Sequence, residues 1–276
     1  MRHLGDQDIL SILLKQEWRE LLLRDLIVKL GGSVITNKAV KESPRIDVIR
    51  SLVGIFKDRF RVLIHGGGSF GHYVAYEVGL NRRPVSFEDA LKVMKSMDRL
   101  SNIVLRSLEE FNVKILLMRP REFVINKELR LYKVFEDVLV KYKKRGANIL
   151  THGDVVVDIG RYNFSVCSGD VLALIFARIF RPKAVIFLSD VDGIYTKDPK
   201  RDPSAKLIED ISGSELVGAF EGSSSTDVTG GMKLKVETIK RISEITDVYV
   251  LNGFKLDNLK RFLSGDDFVG TRIRKE

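Results

Sequence analysis

Apolar side chains follow two different patterns along the chain. In residues 7–23 they recur three and four positions apart, which predicts an amphipathic helix. Elsewhere they form short unbroken runs, which predict buried strands. The clearest runs are D-L-I-V-K-L from Asp25, R-V-L-I-H from Arg61, N-I-L-T-H from Asn148 and A-V-I-F-L-S from Ala184, and glycine follows each of them closely.

Helical spacing between these strands predicts the fold class. Strands that alternate with helices indicate an α/β protein, a three-layer α/β/α sandwich with a mostly parallel central sheet. Short β-like pieces in residues 114–133 predict an antiparallel insertion. The predicted helices cover residues 46–57, 87–111, 134–144, 169–180 and 232–244.

No low-complexity linker divides the chain, so we expect one domain with two lobes rather than two separable domains. The domain is expected at residues 25–274, with lobes at about 25–165 and 166–274, and residues 1–24 form a helical extension before it. With 276 residues and 44% apolar side chains, the chain can bury a full core.

Composition argues against several classes of protein and of binding site. No apolar stretch is long enough to cross a membrane, and the N-terminus lacks a signal-peptide pattern. Cys167 is the single cysteine, which excludes an internal disulfide and fits the cytoplasm. Four histidines and one cysteine show no metal-ligand spacing, so no protein-bound metal site is expected.

The net charge of +9 raises the question of nucleic-acid binding. The basic residues are scattered, however, and form only short clusters such as K-Y-K-K-R at residues 141–145. We therefore expect no nucleic-acid partner and interpret the charge as a solvated surface or as a means of handling small anionic ligands.

The glycine turns supply the first candidate chemistry. In open α/β sheets, ligands bind at the carboxyl ends of the strands, so the turns are expected to converge on one crevice. Lys29 ends the first predicted strand and precedes Gly31, Gly32 and Ser33. Glycines without Cβ atoms let backbone N–H groups approach an anion, and the lysine adds a positive charge. This combination favours phosphate binding. Taken alone, however, an ordinary turn explains the pattern equally well.

A second glycine turn, G-G-G-S at residues 66–69, precedes a predicted helix whose positive N-terminus would face the same crevice. His72, early in that helix, can donate a hydrogen bond to a phosphate oxygen there. The third piece is D-V-T-G-G-M-K at residues 227–233, which again places a lysine, Lys233, at a helix start. Asp170, in S-G-D, could orient Lys29 and Lys233 for phosphoryl transfer.

Gly66, Gly68 and Gly71 also satisfy the dinucleotide fingerprint G-x-G-x-x-G. That fingerprint requires an acidic residue at the end of the next strand, about twenty residues on. Glu88 and Asp89 have this spacing but lie in a predicted helix start capped by Ser86. A nicotinamide dehydrogenase is therefore disfavoured, and the absent G-x-x-x-x-G-K-[ST] motif leaves a Walker-type NTPase unsupported.

The ordered set K-L-G-G-S, H-G-G-G-S-F-G-H, H-G-D, S-G-D, S-D-V-D-G-I-Y-T-K-D-P and D-V-T-G-G-M-K resembles the amino acid kinase superfamily over residues 25–274. With His72, it resembles the isopentenyl phosphate kinases of archaeal type. The resemblance implies ATP and Mg²⁺ as cofactors and isopentenyl phosphate as the acceptor. It further implies an acceptor lobe before residue 166, a nucleotide lobe after it, and a homodimer built on a helix and the sheet edge.

The resemblance also implies roles for individual residues. Catalysis would fall to Lys29, Lys38, His72, Asp170 and Lys233. His72 would hydrogen-bond the acceptor phosphate and offset its charge. The ATP site would comprise Lys29, Gly31, Gly32, Ser33, Gly68, Asp190, Tyr195, Lys197, Gly230 and Lys233, with Asp198 nearby, and Gly67 and Gly169 would touch the acceptor.

A prenyl tail needs an apolar slot, and the helix at residues 87–111 offers Val93, Met94 and Met97 for it. Ordinary core packing explains these three residues at least as well. The chain departs from the family pattern in its extension before residue 25 and in the V-L-A-L that follows S-G-D.

Alternatives remain open at this point. A fosfomycin-type kinase, or another kinase of small phosphates or phosphonates, would use the same histidine to bind its acceptor. A uridylate kinase fits the sequence poorly. From another class, a non-catalytic small-ligand sensor on the same fold would have no need of Lys29, Lys38, Asp170 and Lys233 together.

Overall fold

The computed structural model describes residues 25–216 and 230–276, and within the second range the side chains from residue 234 onward. The helix predicted in residues 7–23 and the segment D-V-T at residues 227–229 lie outside the described residues. So does the side chain of Lys233.

The four strands predicted from apolar runs begin and end close to their expected positions, whereas the sequence predicted none of the strands after residue 190. The four apolar runs form strands β1, β2, β6 and β9. In chain order the strands are β1 (Leu26–Leu30), β2 (Phe60–His65), β3 (Leu116–Leu117), β4 (Val124–Lys127), β5 (Arg130–Val134), β6 (Ile149–His152), β7 (Asp154–Asp158), β8 (Asn163–Cys167), β9 (Ala184–Ser189), β10 (Ile194–Tyr195), β11 (Leu207–Ile208), β12 (Asp210–Ser212), β13 (Asp247–Asn252) and β14 (Thr271–Arg274).

The predicted helices are present to within a few residues, whereas the sequence did not predict the helices at Gly32–Ile35 and Leu256–Ser264. Ser86 caps the longest helix by accepting a hydrogen bond from the backbone N–H of Asp89, as its sequence indicates. The helices are α1 (Gly32–Ile35), α2 (Ile46–Phe56), α3 (Gly68–Val78), α4 (Phe87–Glu110), α5 (Glu136–Lys144), α6 (Gly169–Phe180), α7 (Gly230–Ser243) and α8 (Leu256–Ser264).

The central sheet has eight strands in the order β12-β14-β13-β9-β1-β2-β6-β3. Every neighbouring pair is parallel except β13 and β14. Strands from both predicted lobes therefore share one sheet. The predicted α/β class with a mostly parallel sheet is confirmed.

Apolar side chains fill both faces of this sheet, which explains the unbroken apolar runs. On β1, Ile27 joins one buried cluster, whereas Val28 joins the cluster on the opposite face. Helices α6 and α7 cover the first face, for example with Phe176 and Ile239. Helices α2, α4 and α8 cover the second face, for example with Leu52 and Phe262. The result is the predicted three-layer arrangement.

A second sheet in the order β5-β4-β7-β8 lies beside the first. Its antiparallel β4–β5 pair is the predicted insertion. Strands β7 and β8 complete it as a second antiparallel pair, which the sequence analysis did not anticipate. Only Gly153 separates β6 in the large sheet from β7 in the small one, so both sheets meet at this glycine. Across residues 25–216 and 230–276, no helix has both the length and the apolarity needed to cross a membrane.

Candidate active site

One cavity of about 1320 Å³ lies at the carboxyl ends of strands β1, β2, β6 and β9. The turns after these strands all contribute to its walls, so the predicted convergence is confirmed. Gly68 does not line this cavity but an adjoining one of about 310 Å³, which shares Lys38 and His72 with it. The predicted residues that line the larger cavity are Lys29, Gly31, Gly32, Ser33, Lys38, Gly67, His72, Val93, Met97, Gly169, Asp170, Asp190, Tyr195 and Lys197.

The first two glycine turns pack directly against each other. A Cβ atom on Gly32 would lie 2.3 Å from the backbone nitrogen of Gly68, so no side chain fits there. Gly68 has a φ of +47°, and a Cβ on it would lie 2.1 Å from Oγ1 of Thr36. That hydroxyl accepts a hydrogen bond from the N–H of Ser69 at 2.8 Å and donates one to the carbonyl of Gly32 at 2.7 Å. Thr36 therefore joins the two turns into one rigid wall.

Lys29 and Asp170 form the charged centre of the cavity. The Nζ atom of Lys29 lies 2.6 Å from Oδ1 of Asp170, which connects the end of β1 to the start of α6. Burial alone would raise the pKa of Asp170, but the charges of Lys29 and Lys235 outweigh burial and lower that pKa below its usual value. The carboxylate therefore stays ionised between the two lysines.

Lys235 is the functional candidate that sequence reasoning missed. It lines the cavity, and burial lowers the pKa of its amine, with Lys29 adding to this effect while Asp170 and Asp190 oppose it. The sequence also predicts such a role for Lys233, two residues earlier, whose side chain lies outside the described residues, so that role stays a prediction. Helical spacing could have marked Lys235 as well, because it lies one turn before Ile239, a buried residue of the inward face of α7.

His72 and Lys38 lie together at the entrance shared by the two cavities. Burial lowers the pKa of His72, and the positive charges of Lys38 and Lys29 lower it further. The imidazole is therefore neutral at pH 7 and offers an N–H donor. The expected role of His72 in offsetting the acceptor's charge stays a prediction, and Lys38 and Lys29 are cations that act on the same imidazole. The hydroxyl of Tyr73 donates a hydrogen bond to the backbone carbonyl of Lys38 at 2.9 Å and holds that loop in place.

Several polar contacts involve residues of the cavity wall around Asp190. Asp190 accepts a hydrogen bond from Nζ of Lys200 at 2.5 Å. Burial would raise the pKa of Asp190, but bonds from Lys200 and Ser33 lower it. Tyr195 contacts Asp192 at 3.4 Å, and Lys197 pairs with the loop residue Asp202 at 2.9 Å.

The opposite end of the cavity is apolar. Val93 and Met97 of α4 form one wall and are almost fully buried. Met94, also considered for this slot, is buried in a neighbouring cluster and does not line the cavity. The remaining apolar lining here comes from α3 and the small sheet, through Ala75, Val155 and Val166.

His65 and His152 end the neighbouring strands β2 and β6 and stack with ring centroids 5.1 Å apart. Nε2 of His65 lies 2.9 Å from the hydroxyl of Ser101. Burial lowers the pKa of His65 to about 3 and that of His152 to about 4. Both rings are therefore neutral and buried at the ends of β2 and β6.

The family model described as the amino acid kinase family matches residues 26–252 of the chain. This chain belongs to the amino acid kinase family. The matched range contains every glycine turn of the cavity. In this amino acid kinase, the lysines and glycines of the cavity therefore lie within the part of the chain that matches the family.

Similar proteins and structures agree with this membership. The chain is 34% identical over 265 residues to isopentenyl phosphate kinase of Methanothermobacter thermautotrophicus, covering 90% of this chain and 98% of that protein. It is 34% identical over 256 residues to isopentenyl phosphate kinase of Thermoplasma acidophilum, covering 90% and 100%. A crystal structure of an isopentenyl phosphate kinase substrate complex superposes with a TM-score of 0.75 and 29% identity, covering 91% of this chain and all of that one.

The side chains of the cavity indicate how this amino acid kinase could bind a metal ion. Within the described ranges, no group of three or more histidine, cysteine, aspartate or glutamate side chains could hold a metal ion. The cavity offers lysines and backbone amides instead, and Asp170 and Asp190 are already paired with Lys29 and Lys200. Such a site suits a magnesium ion that arrives with nucleotide phosphates, since Mg²⁺ usually keeps few protein ligands.

Proposed function

We propose that this protein transfers the γ-phosphoryl group of ATP to the phosphate of isopentenyl phosphate, forming isopentenyl diphosphate. The observation that carries the proposal is the make-up of the cavity of about 1320 Å³. Its centre holds Lys29, Lys235 and Asp170, its entrance holds a neutral His72, and its far end is apolar. A phosphate with a short hydrocarbon tail matches this arrangement, because its phosphate would face the charged residues and its tail the apolar ones. The names of the similar proteins support the same assignment.

The nucleotide would bind on the side of Asp190 and the paired glycine turns. The close approach of Gly32 and Gly68 leaves a wall of backbone without Cβ atoms, which suits phosphate oxygens. Lys29 and Lys235 both line the cavity and both lower the pKa of Asp170, so two cations would be available to the transferring phosphoryl group. Because phosphoryl transfer depends mainly on positioning and charge stabilisation, this pair is assigned the largest share of catalysis.

The acceptor would place its phosphate against His72 and Gly67 and its tail along Val93 and Met97. A phosphate monoester is already an anion at neutral pH, so the reaction requires no general base. His72 would donate its N–H to a phosphate oxygen and fix the attacking oxygen in line with the leaving ADP. Lys38, beside His72, would supply the compensating positive charge.

Mg²⁺ is proposed to enter with ATP, its ligands being phosphate oxygens and water, with Asp190 as the nearest carboxylate of the nucleotide side. When bound, it neutralises charge on the nucleotide phosphates. The homodimer, the cytoplasmic location and the division into acceptor and nucleotide lobes at residues 165 and 166 remain predictions from the sequence.

The decisive experiment is a panel of acceptors offered to the purified protein with Mg-ATP. The panel contains isopentenyl phosphate, dimethylallyl phosphate, fosfomycin, UMP and carbamate, and the products are identified by ADP release and mass. We expect diphosphate formation from isopentenyl phosphate at a rate well above the others. Turnover of a different acceptor alone would retain the kinase and reject this substrate. No turnover of any acceptor would support a non-catalytic sensor on the same fold.

A further inference from the structure

A network of charged residues lies beside the apolar part of the cavity, and one member, Asp154, lines the cavity itself. At the centre of the network, the guanidinium of Arg121 lies between two carboxylates. Its Nη2 atom donates to both oxygens of Asp98, at 2.7 and 2.6 Å. Its Nη1 atom donates to both oxygens of Asp154, at 3.2 and 2.9 Å. The Asp154 side chain is fully buried, and that of Arg121 is 20% exposed.

Each carboxylate belongs to a different wall of the apolar slot. Asp98 follows Met97 on α4, whose side chain lines one wall. Asp154 precedes Val155 on β7, whose side chain lines the facing wall. Arg121 belongs to neither wall, because it lies in the short 3₁₀ turn Pro120–Glu122. One planar group from a third element therefore bridges both sides of the slot.

Apolar packing joins α4 to β7 on one side, where Val93, Met94 and Val155 belong to one buried cluster. A ligand tail between the two elements would interrupt such packing, so polar contacts beside the tail can also set their spacing. A guanidinium suits this task, since its fork is rigid and binds carboxylates bidentately. Arg119 reinforces the arrangement, because its Nε atom donates to Oδ1 of Asp98 at 2.8 Å.

Stability alone does not explain the network. Two buried or half-buried carboxylates around one arginine carry a large desolvation penalty, and apolar side chains of similar volume often replace such groups without loss. Burial raises the pKa of Asp154 to about 7, with Arg121 acting in the opposite direction, which reflects that penalty. A geometric role accounts for the presence of the network where a purely stabilising role does not.

We infer that Arg121 is a positioning residue that fixes the distance between α4 and β7 and thereby sets recognition of the acceptor's hydrocarbon tail. Arg121 acts through Asp98 and Asp154 and touches neither phosphate nor nucleotide. This inference rests on the proposed function, because it takes the slot to be the tail site of a phosphate acceptor. It predicts that loss of the bridge weakens tail recognition and spares phosphate and ATP binding.

The test compares two ligands with the same phosphate and different tails, isopentenyl phosphate and ethyl phosphate. Their dissociation constants are measured by calorimetry on the full chain, and the KM for ATP is measured alongside. In Arg121→Lys, which keeps the charge and loses the fork, we expect the preference for isopentenyl phosphate to fall about tenfold. In Asp98→Asn, which retains the Arg121–Asp154 pair, we expect about a threefold fall. The KM for ATP should stay within about twofold in both.

Arg272→Lys is the matched control. Arg272 pairs with Asp247 through Nε at 3.1 Å and Nη2 at 2.7 Å, on β14 and β13 away from the cavity. Its loss should lower stability without changing the ratio of the two dissociation constants. Should Arg121→Lys fail to fold, Asp98→Asn carries the test.

An unchanged ratio in the folded Arg121 and Asp98 variants would overturn the inference, as would an equal fall in Arg272→Lys. Wild-type protein that binds isopentenyl phosphate no better than ethyl phosphate would overturn it as well. The proposed function fails separately, if the wild-type protein binds isopentenyl phosphate tightly and does not phosphorylate it.

Discussion

Lys29 and Asp170 are 141 residues apart in the chain, yet their side chains meet at 2.6 Å in the centre of the cavity. The carboxylate also lowers the cost of placing Lys235 beside Lys29, since it opposes the fall in the pKa of Lys235. The three residues therefore form one electrostatic unit in which two cations face the same space. Removing any member changes the remaining two.

Asp170→Asn removes the negative charge and retains the shape of the side chain. Without it, Lys29 and Lys235 repel each other and lose their common orientation. We expect kcat to fall by about 100-fold, while the KM for ATP changes little, because both cations still attract phosphate. Steady-state kinetics measure the effect. Asp247→Asn, which breaks an ion pair far from the cavity, should leave kcat within about twofold.

Lys235→Met should abolish most transfer and leave the fold intact. A buried amine costs desolvation energy, so replacing it with an apolar side chain of similar length should not lower the melting temperature. We expect kcat to fall by about 100- to 1000-fold. Lys233→Met is the matched comparison on the same helix. If Lys233→Met reduced kcat more than Lys235→Met, the assignment of the catalytic lysine would revert to the residue expected from the sequence.

His72→Ala should reduce transfer by about 100-fold, and His72→Asn, which keeps an N–H donor, should retain more activity than alanine. Because the pKa of His72 is already lowered below 6.5, its protonation state does not change between pH 7 and 8. The His72→Asn rate relative to wild type should therefore be constant across this range. A ratio that rises or falls tenfold between these pH values would contradict a neutral donor.

Acid should destabilise the protein between roughly pH 4.5 and 6, because two buried histidines stay neutral in the folded state. The pKa values of His65 and His152 are about 3 and about 4 when folded, against about 6.5 when unfolded. Below that value the unfolded state binds two protons that the folded state does not, so stability falls as pH falls. Asp154, with a folded pKa of about 7, acts in the opposite direction. The net slope is one proton, or about 1.4 kcal/mol per pH unit between roughly pH 4.5 and 6.

Urea unfolding at several pH values measures this slope. In His152→Gln one of the two neutral histidines is lost, so His65 and Asp154 should cancel and the slope should fall close to zero. A slope equal to that of the wild-type protein would refute the burial of His152 as its cause.

Gly68→Ala should affect both stability and nucleotide binding. The new Cβ would need a φ of +47° and would collide with Thr36, which joins the two glycine turns. We expect a loss of about 1–3 kcal/mol in unfolding free energy and a higher KM for ATP. Gly79 has a φ of +74° at the far end of the same helix. Gly79→Ala should therefore lose stability with an unchanged KM for ATP.

Much of the architecture could be predicted because local patterns agree with it. The apolar runs of β1, β2, β6 and β9 are buried on both faces, and a run of this kind is recognisable without any knowledge of its partners. The glycine turns were located for the same reason. Their convergence follows from a general property of parallel sheets, so most predicted lining residues do line one cavity.

What could not be predicted depends on tertiary register. The choice between Lys233 and Lys235 is a rotation of α7 about its own axis, and the sheet beneath it decides that rotation. Strand β8 reads N-F-S-V-C, with too few apolar residues to identify it before β7 is known as its partner. The bridge through Arg121 involves three elements separated by up to 56 positions in the chain, from Asp98 to Asp154, and no local pattern marks it.

The position of β1 in the sheet has a consequence for synthesis on the ribosome. This strand lies between β2 and β9, so one of its two edges stays open until residue 184 and those after it have been made. A nascent chain that ends at the boundary between the proposed lobes would expose an apolar strand edge capable of pairing with other chains. The C-terminal half therefore completes the folding of the N-terminal half, and a chain released before that point should aggregate rather than persist as a stable fragment.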